Sequence, residues 1–271
     1  MKKNLLFKGF PVFIVLILLI TSCAKVPITG RRQVSFLPEG MLVSMALTSY
    51  QEFMTENPPL PASDQRVQAV RRVGNRISQA VNQYLVDNGE AARVQAFQWE
   101  FNVVANDAVN AWAMPGGKIM FYTGIFPITQ NDEGIAVVMA HEIAHAVARH
   151  GNERMSQQLL LAVGAAGIDA ALNEKNETTR NIFLMTYGVG GQLGSLAYSR
   201  RHEYEADQLG MIFMAMAGYN PAATVAFWEK MQGMASGAEP PQFLSTHPNS
   251  ASRIKAARDF VPEAMKYYKH Q

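Results

Sequence analysis

The pentapeptide HEIAH at positions 141–145 is the part of the sequence whose residue types and spacing point most directly to chemistry. Residues four apart share one face of a helix, so the imidazoles of His141 and His145 converge on one point, as a zinc ion requires. Glu142 lies beside such an ion rather than on it, and is placed to take the proton of an attacking water. A pentapeptide also arises by chance, so its meaning depends on the residues that accompany it.

A second group of acidic residues further along the chain predicts the rest of a metal site. A catalytic zinc takes three protein ligands, and Glu203 is the predicted third. Asp207, four residues later on the same helix face, is predicted to accept the distal N–H of a zinc-bound histidine. Glu205 and His202 lie on other faces and are not assigned to the metal. A solvated charged helix would carry the same residues, but the apolar run from Leu209 indicates a buried one.

Two extended segments precede the HEIAH helix and flank the turn signal Pro-Gly-Gly at positions 115–117. The first suits an exposed edge strand, which binds a substrate chain by backbone pairing. An ordinary core hairpin explains the pattern equally well. The residues assigned to this candidate substrate-binding strand are Asn110, Ala111, Trp112, Ala113 and Met114.

His247, followed by Pro248, is the other histidine with a candidate role. Most His-Pro pairs in loops are simply turns. Near a zinc site, His247 is placed to donate a hydrogen bond to the oxyanion that forms when water attacks a peptide carbonyl.

The N-terminus has the proportions of a secretory signal peptide, with a basic start and a short apolar run at 10–20. Cys23, the only cysteine, follows directly, as in a bacterial lipobox, so residues 1–22 are predicted to be a lipoprotein signal peptide and 23–40 a lipid-anchored linker. An ordinary signal peptide or an uncleaved anchor are the alternatives. The expected location is the bacterial envelope, facing the periplasm, and Ala24 in place of aspartate favours the outer membrane.

Composition limits the remaining possibilities. The 271 residues are 48% hydrophobic and carry a net charge of +2, enough apolar material for one sizeable domain, with no basic excess for nucleic acid. The catalytic domain is predicted over 41–271, as a mainly helical α+β fold with a small sheet or hairpin beside the active-site helix. Its predicted helices cover Glu39–Glu56, a stretch from the cap Ser63-Asp64 to Asn88, Asp132–His150, Asn152–Leu172, Thr178–Ala217 with a glycine-rich break, Pro221–Met234 and Ser250–Ala257.

Taken together, these segments resemble the HtpX and CAAX-prenyl-protease type of metallopeptidase, a branch of the gluzincins. The resemblance runs from about Asn102 to Arg253 and joins the 110–117 segment, HEIAH, the SRRHEYEAD segment at 199–207 and His247-Pro248. It implies endopeptidase activity with one zinc per chain. It also implies a supporting role for Asp207 and a transition-state or gating role for His247, with Arg253. The absence of a clean membrane-length apolar stretch makes the chain similar to the soluble periplasmic lipoproteins of the family.

Two functions follow from this sequence. The first is a zinc endopeptidase whose polypeptide substrates are misfolded or damaged envelope proteins. This enzyme would be anchored to the membrane through acylated Cys23. The second is an envelope chaperone or assembly factor with envelope protein partners. In the second, His247 would complete a gated or structural zinc site, because structural sites are closed by four protein ligands. Glu142 is not needed in a purely structural site and favours the first. The glycines at 188–194 are predicted to cover the cleft or to allow close helix packing.

Overall fold

The computed structural model describes residues 23–187, 198–235, 241–248 and 251–269. This part of the chain is mainly helical, as predicted, and it carries two small sheets where one was predicted. The helices are α1 (Glu39–Glu56), α2 (Gln65–Asp87), α3 (Ala91–Val94), α4 (Phe126–Thr129), α5 (Asp132–Val147), α6 (His150–Ala171), α7 (Glu177–Tyr187), α8 (Arg200–Met216), α9 (Ala223–Ala235), α10 (Phe243–Thr246) and α11 (Ala251–Ala264).

Helix α5 carries the HEIAH sequence through the centre of the domain. It begins where the side chain of Asn131 accepts a hydrogen bond from Gly134 N–H, and Asp132 and Glu133 lie in its first turn, where negative charge is favourable. Almost all its residues are buried, since it packs against α2, α8, α9 and a β-strand. A helix that is apolar on every side requires such surroundings.

Helix α8 approaches α5 closely because Gly210 lies at the contact. A Cβ added to Gly210 would lie 3.1 Å from the backbone nitrogen of His141 and 3.2 Å from the carbonyl carbon of Ala140. The absent side chain therefore lets the two backbones come together. This approach brings Glu203 and Asp207, two turns and one turn before Gly210 respectively, up to the histidines of α5.

The larger sheet has strands β3 (Glu100–Val104), β4 (Ala111–Met114) and β5 (Lys118–Tyr122), in the order β3-β5-β4. Strand β5 runs parallel to β3 and antiparallel to β4, which confirms the predicted hairpin. Gly116 and Gly117 form its turn with φ of +81° and +84°.

The sequence favours an exposed edge strand here. Strand β4 does lie at the edge of this sheet, but most of its side chains are buried. Ala111, Trp112 and Met114 are buried, and Trp112 packs edge-on against Phe53 of α1 with ring centroids 5.1 Å apart. The strand combines both interpretations of its sequence, because it is an edge in its hydrogen bonding and part of the core in its side chains.

The N-terminal segment predicted as a linker over 23–40 is folded onto the domain. Strands β1 (Cys23–Lys25) and β2 (Arg32–Val34) pair antiparallel, and Val26 and Leu37 are buried in the core. The tether interpretation is therefore wrong for this segment. Its basic residues include Arg31, whose side chain is largely buried between acidic partners.

Helix boundaries differ from the prediction at one place that matters for the site. The helix predicted to run to His150 ends at Val147, and Arg149 adopts the left-handed conformation with φ of 56° before α6 begins. In one continuous helix His145 and His150 would point about 140° apart. The break turns His150 back toward His145.

Several predictions concern segments outside the described residues. These are the signal peptide at 1–22 and the glycine-rich 188–194 stretch.

Helix α11 extends to Ala264, beyond the predicted Ala257. Among the residues that the structure describes, no helix has both the length and the hydropathy needed to cross a bilayer.

Candidate metal centre and active site

Four ligating side chains converge at the contact between α5 and α8. They are His141, His145, Glu203 and His247, whose ligand atoms all lie within 4.8 Å of one another. His141 Nε2 lies 3.1 Å from His145 Nε2 and 3.2 Å from His247 Nδ1. Glu203 Oε1 lies 3.4 Å from His145 Nε2 and 3.2 Å from His247 Nδ1. The structure thus brings together the three predicted ligands and adds His247 to them.

This donor set fits a tetrahedral zinc ion. With zinc–nitrogen bonds of about 2.0–2.1 Å, neighbouring ligands of a tetrahedron stand about 3.3 Å apart, close to the separations found here. Three imidazole nitrogens and a carboxylate that all face one point have too few protons to hydrogen-bond one another. A cation between them resolves that conflict, and all four side chains are buried, as such a centre requires.

Asp207 occupies the supporting position predicted for it. Its Oδ1 lies 3.1 Å from Nδ1 of His141 and also accepts from Trp228 Nε1 at 3.1 Å. Burial alone would lower the pKa of His141, but hydrogen bonds to Asp207 and Glu203 outweigh it and raise that pKa to about 9. The two carboxylates therefore stabilise positive charge at this point, which is what a metal ion supplies.

Arg253 holds these two carboxylates in their ionised form. The fully buried guanidinium forms an ion pair with Glu203 through Nη1 at 2.7 Å and donates from Nη2 to Asp207 at 2.9 Å. Burial would raise the pKa of both acids, but the charge of Arg253, together with contacts to neighbouring histidines, outweighs it and lowers both values. Arg253 also stacks 3.7 Å from the ring centroid of Trp228. Its place is behind the ligands rather than at the reacting side of the site.

Glu142 lies beside the four-residue group on the side that faces strand β4. Its carboxylate accepts a backbone hydrogen bond from Ala113, and its Oε1 lies 3.5 Å from Nε2 of His247. Burial raises the pKa of Glu142 to about 8. A carboxylate with a pKa near neutrality can both accept and return a proton, as a general base requires.

The cleft between Glu142 and His247 is closed in this structure. The cavity there measures about 30 Å³, room for one or two waters and not for a peptide. Its walls include Tyr198, whose ring centroid lies 3.9 Å from that of His145. Arg154 of α6 closes the far side, since it binds the carbonyl of Thr186 and stacks on Tyr198 at 4.1 Å. Substrate binding therefore requires this wall to move.

Sequence reasoning did not assign several residues that complete the site. Trp228, Tyr198 and Arg154 lie in segments read only as helix or loop, and nothing in their local spacing distinguishes them. His150 carried a signal, as a further histidine five residues after HEIAH, but one continuous helix over 132–150 would point it away from His145. Glu205 and His202, which the sequence analysis does not assign to the metal, are buried and belong to a polar cluster beside the four ligating side chains.

The family is settled by comparison with known proteins. A model of peptidase family M48 matches residues 65–261, which include all four converging side chains and Glu142. The chain belongs to peptidase family M48. With the buried metal-binding group, this membership makes the protein a metalloendopeptidase.

The relatives of this M48 chain come from mitochondria and from bacteria. It is 30% identical over 246 residues to the mitochondrial metalloendopeptidase OMA1 of Schizosaccharomyces pombe, covering 90% of this chain and 68% of that protein. It is 30% identical over 215 residues to the β-barrel assembly-enhancing protease of Yersinia pestis, covering 78% of this chain and 42% of that protein. Human OMA1 is 26% identical over 248 residues, covering 89% of this chain and 46% of OMA1. These matches confirm the family and leave the HtpX/CAAX branch a prediction.

Proposed function

We propose that the protein is a zinc-dependent endopeptidase of the bacterial envelope, with His141, His145 and Glu203 as zinc ligands and Glu142 as the general base. The observation that carries the proposal is the convergence of three imidazoles and Glu203 on one buried point with Glu142 beside it. A structural zinc site has no use for a buried carboxylate of raised pKa next to the metal.

The residues of the chain divide the reaction among them. Zinc, when bound, supplies a Lewis acid that polarises the scissile carbonyl and lowers the pKa of water. Glu142 takes a proton from the attacking water and delivers it to the leaving amine. Ala113 N–H orients the Glu142 carboxylate for that transfer. His247 steadies the oxyanion through Nε2, which already faces Glu142 at 3.5 Å.

Strand β4 is proposed to bind the substrate backbone. Ala113 turns its N–H away from β5 and toward Glu142, so the free edge of the strand borders the reacting groups. A polypeptide paired along this edge would present successive carbonyls to the site with little sequence preference. This suits an enzyme that removes misfolded or damaged proteins.

The proposed location rests on the lipobox. Strand β1 begins at Cys23 itself, so acylation there would attach the lipid to the first residue of a hairpin packed on the domain. The domain would then lie close to the membrane, where envelope proteins are assembled. Incorporation of labelled palmitate into the parent and not into Cys23→Ser would support the anchor, and equal labelling would contradict it.

The decisive experiment on the reaction is Glu142→Gln. This change keeps the shape of the side chain and removes the base, so we expect zinc content and unfolding temperature to match the parent while casein cleavage is lost. Metal analysis and gel assays of the purified proteins measure both. A Glu142→Gln protein that cleaves casein at the parental rate would exclude the proposed role.

A second candidate is an envelope chaperone or assembly factor with a gated or structural zinc site. It is favoured by His247, whose Nδ1 lies among the ligand atoms and would complete a four-ligand site, and by the closed cleft. His247→Ala distinguishes the two. An oxyanion donor predicts kcat reduced by about 10²–10³ with zinc retained. A closing ligand predicts weaker zinc binding and faster or unchanged cleavage.

A further inference from the structure

His145 is held from behind by residues that lie outside the proposed ligand set. Its Nε2 faces Nε2 of His141 at 3.1 Å and Glu203 Oε1 at 3.4 Å. Its other nitrogen, Nδ1, lies 3.0 Å from Nδ1 of His150. On the far side of that second ring, His150 Nε2 lies 2.9 Å from Oε2 of Glu205. A chain of ring nitrogens thus leads from the candidate metal position to a carboxylate.

The protons of this chain have one consistent arrangement. A neutral His145 that offers the lone pair of Nε2 to a metal carries its proton on Nδ1, so it must donate to Nδ1 of His150. His150 then carries its own proton on Nε2 and donates to Glu205, which can only accept when ionised. Each ring has one donor and one acceptor, and each finds its partner.

The N-terminal hairpin fixes the carboxylate that ends the chain. Thr29 Oγ1 donates to Glu205 Oε1 at 2.6 Å, and Arg31 Nε donates to Glu205 Oε2 at 2.6 Å. The remaining guanidinium nitrogens of Arg31 bind Glu153 of α6 at 2.9 and 2.7 Å. The guanidinium therefore links α6 to α8, and only 10% of the Arg31 side chain is exposed. His202 stacks on His150 with ring centroids 4.6 Å apart.

We propose that His150, Glu205 and Arg31 are positioning residues for the metal centre, which set the tautomer and ring orientation of His145. A ligating histidine binds its metal more tightly when its second nitrogen donates to a fixed acceptor. Asp207 does this directly for His141. For His145 the acceptor is a second histidine, whose orientation depends on a hairpin more than 100 residues earlier in the chain.

The inference rests on the metal centre proposed above, and its test separates the two. The experiment compares Glu205→Gln with Glu153→Gln in the full-length chain. Both acids bind Arg31, and their side chains are 6% and 7% exposed, but only Glu205 contacts His150. Zinc affinity is measured by competition with a chromogenic chelator, and the geometry of the site by the visible spectrum of the Co²⁺-substituted protein.

We expect Glu205→Gln to weaken zinc binding by about tenfold or more and to shift the Co²⁺ spectrum, and Glu153→Gln to leave both close to the parent. Equal zinc affinity in the two variants, whether parental or reduced, would overturn the proposal, because a merely structural Arg31 cluster treats both acids alike. A parent chain that binds no zinc would instead contradict the proposed function.

A second pair of variants tests the relay at its centre. His150→Phe keeps a ring and removes the acceptor, while His150→Asn offers a carbonyl oxygen near the place of Nδ1. We expect zinc affinity to fall by about tenfold or more in the first and to be partly restored in the second. Parental affinity in His150→Phe would contradict the relay.

Discussion

The two histidines of helix α5 are supported by two regions of different construction. Behind His141, a carboxylate accepts directly from Nδ1 and is held by Arg253 and Trp228, all fully or nearly fully buried. Behind His145, a second histidine stands between the ring and its carboxylate, and the guanidinium that holds it comes from a surface hairpin.

The two regions meet the same chemical requirement, but the loss of one partner costs more stability on the His141 side than on the His145 side. Both arrangements give a ligating imidazole a fixed acceptor. On the His141 side, loss of a partner leaves a charge deep in the core. On the His145 side, water can reach the exposed edge of the hairpin and replace part of what is lost. The predictions below are ordered by how strongly they should separate the two regions.

The largest effect is expected for Arg253→Ala. The change leaves Glu203 and Asp207 buried without their cation, and breaking such a buried ion pair costs about 3–5 kcal/mol. Urea unfolding of the metal-free protein measures the loss. A loss below about 1 kcal/mol would mean that water reaches this cluster and that the two regions are built alike.

The helix contact that joins the two regions is tested by Gly210→Ala. The new methyl would lie 3.1 Å from the backbone of His141, so α5 and α8 must separate, at a cost of about 1–3 kcal/mol and with weaker zinc binding. Gly233→Ala in α9 is the matched control. It has open space around it and should stabilise its helix by about 0.5–1 kcal/mol. Similar thermal shifts in both variants would contradict the close-contact argument.

Arg31→Ala is predicted to weaken the His145 side in a pH-dependent way. Burial would raise the pKa of Glu153 and Glu205, but hydrogen bonds from His202, His150, Thr29 and Arg31 outweigh it and lower both to about 2. Carboxyls with lowered pKa stabilise the fold above their unfolded value of about 4.5, and this is lost as pH falls toward 2.

The stability difference between parent and Arg31→Ala should therefore be about 1–2 kcal/mol at pH 7 and should shrink between pH 4.5 and 2. Urea unfolding across that range measures it. A difference that stays constant with pH would show that Arg31 acts through packing and not through its charge.

The smallest effect is expected for Arg72→Ala, which removes an exposed ion pair with Asp132 at the start of α5. The two side chains are 57% and 39% exposed, and such pairs contribute about 0–1 kcal/mol. Zinc affinity should be unchanged. A drop in zinc affinity comparable to that of Glu205→Gln would show that any disturbance of α5 loosens the metal site, and would remove the distinction between the two regions.

Much of the site followed from short spacings in the sequence. The i, i+4 pairs His141 and His145, and Glu203 and Asp207, share helix faces wherever a helix forms. The cap at Asp64 and the turn at Gly116-Gly117 were likewise local signals, and the structure confirms both. The error at His150 has a local cause too, since one left-handed residue at Arg149 redirects the chain and no periodicity announces it.

The remaining features depend on residues far apart in the chain. The sequence determined the helices, their apolar faces and the chemical types of the site, because these depend on side chains within a few residues of one another. Only the tertiary structure placed His247 beside the three proposed ligands, closed the cleft with Tyr198, and brought Arg31 into contact with Glu205, 174 positions away. An arginine near the N-terminus can pair with many acids. Its partners are determined only when α5, α6 and α8 pack together, because this packing buries Glu153 and Glu205 within reach of Arg31.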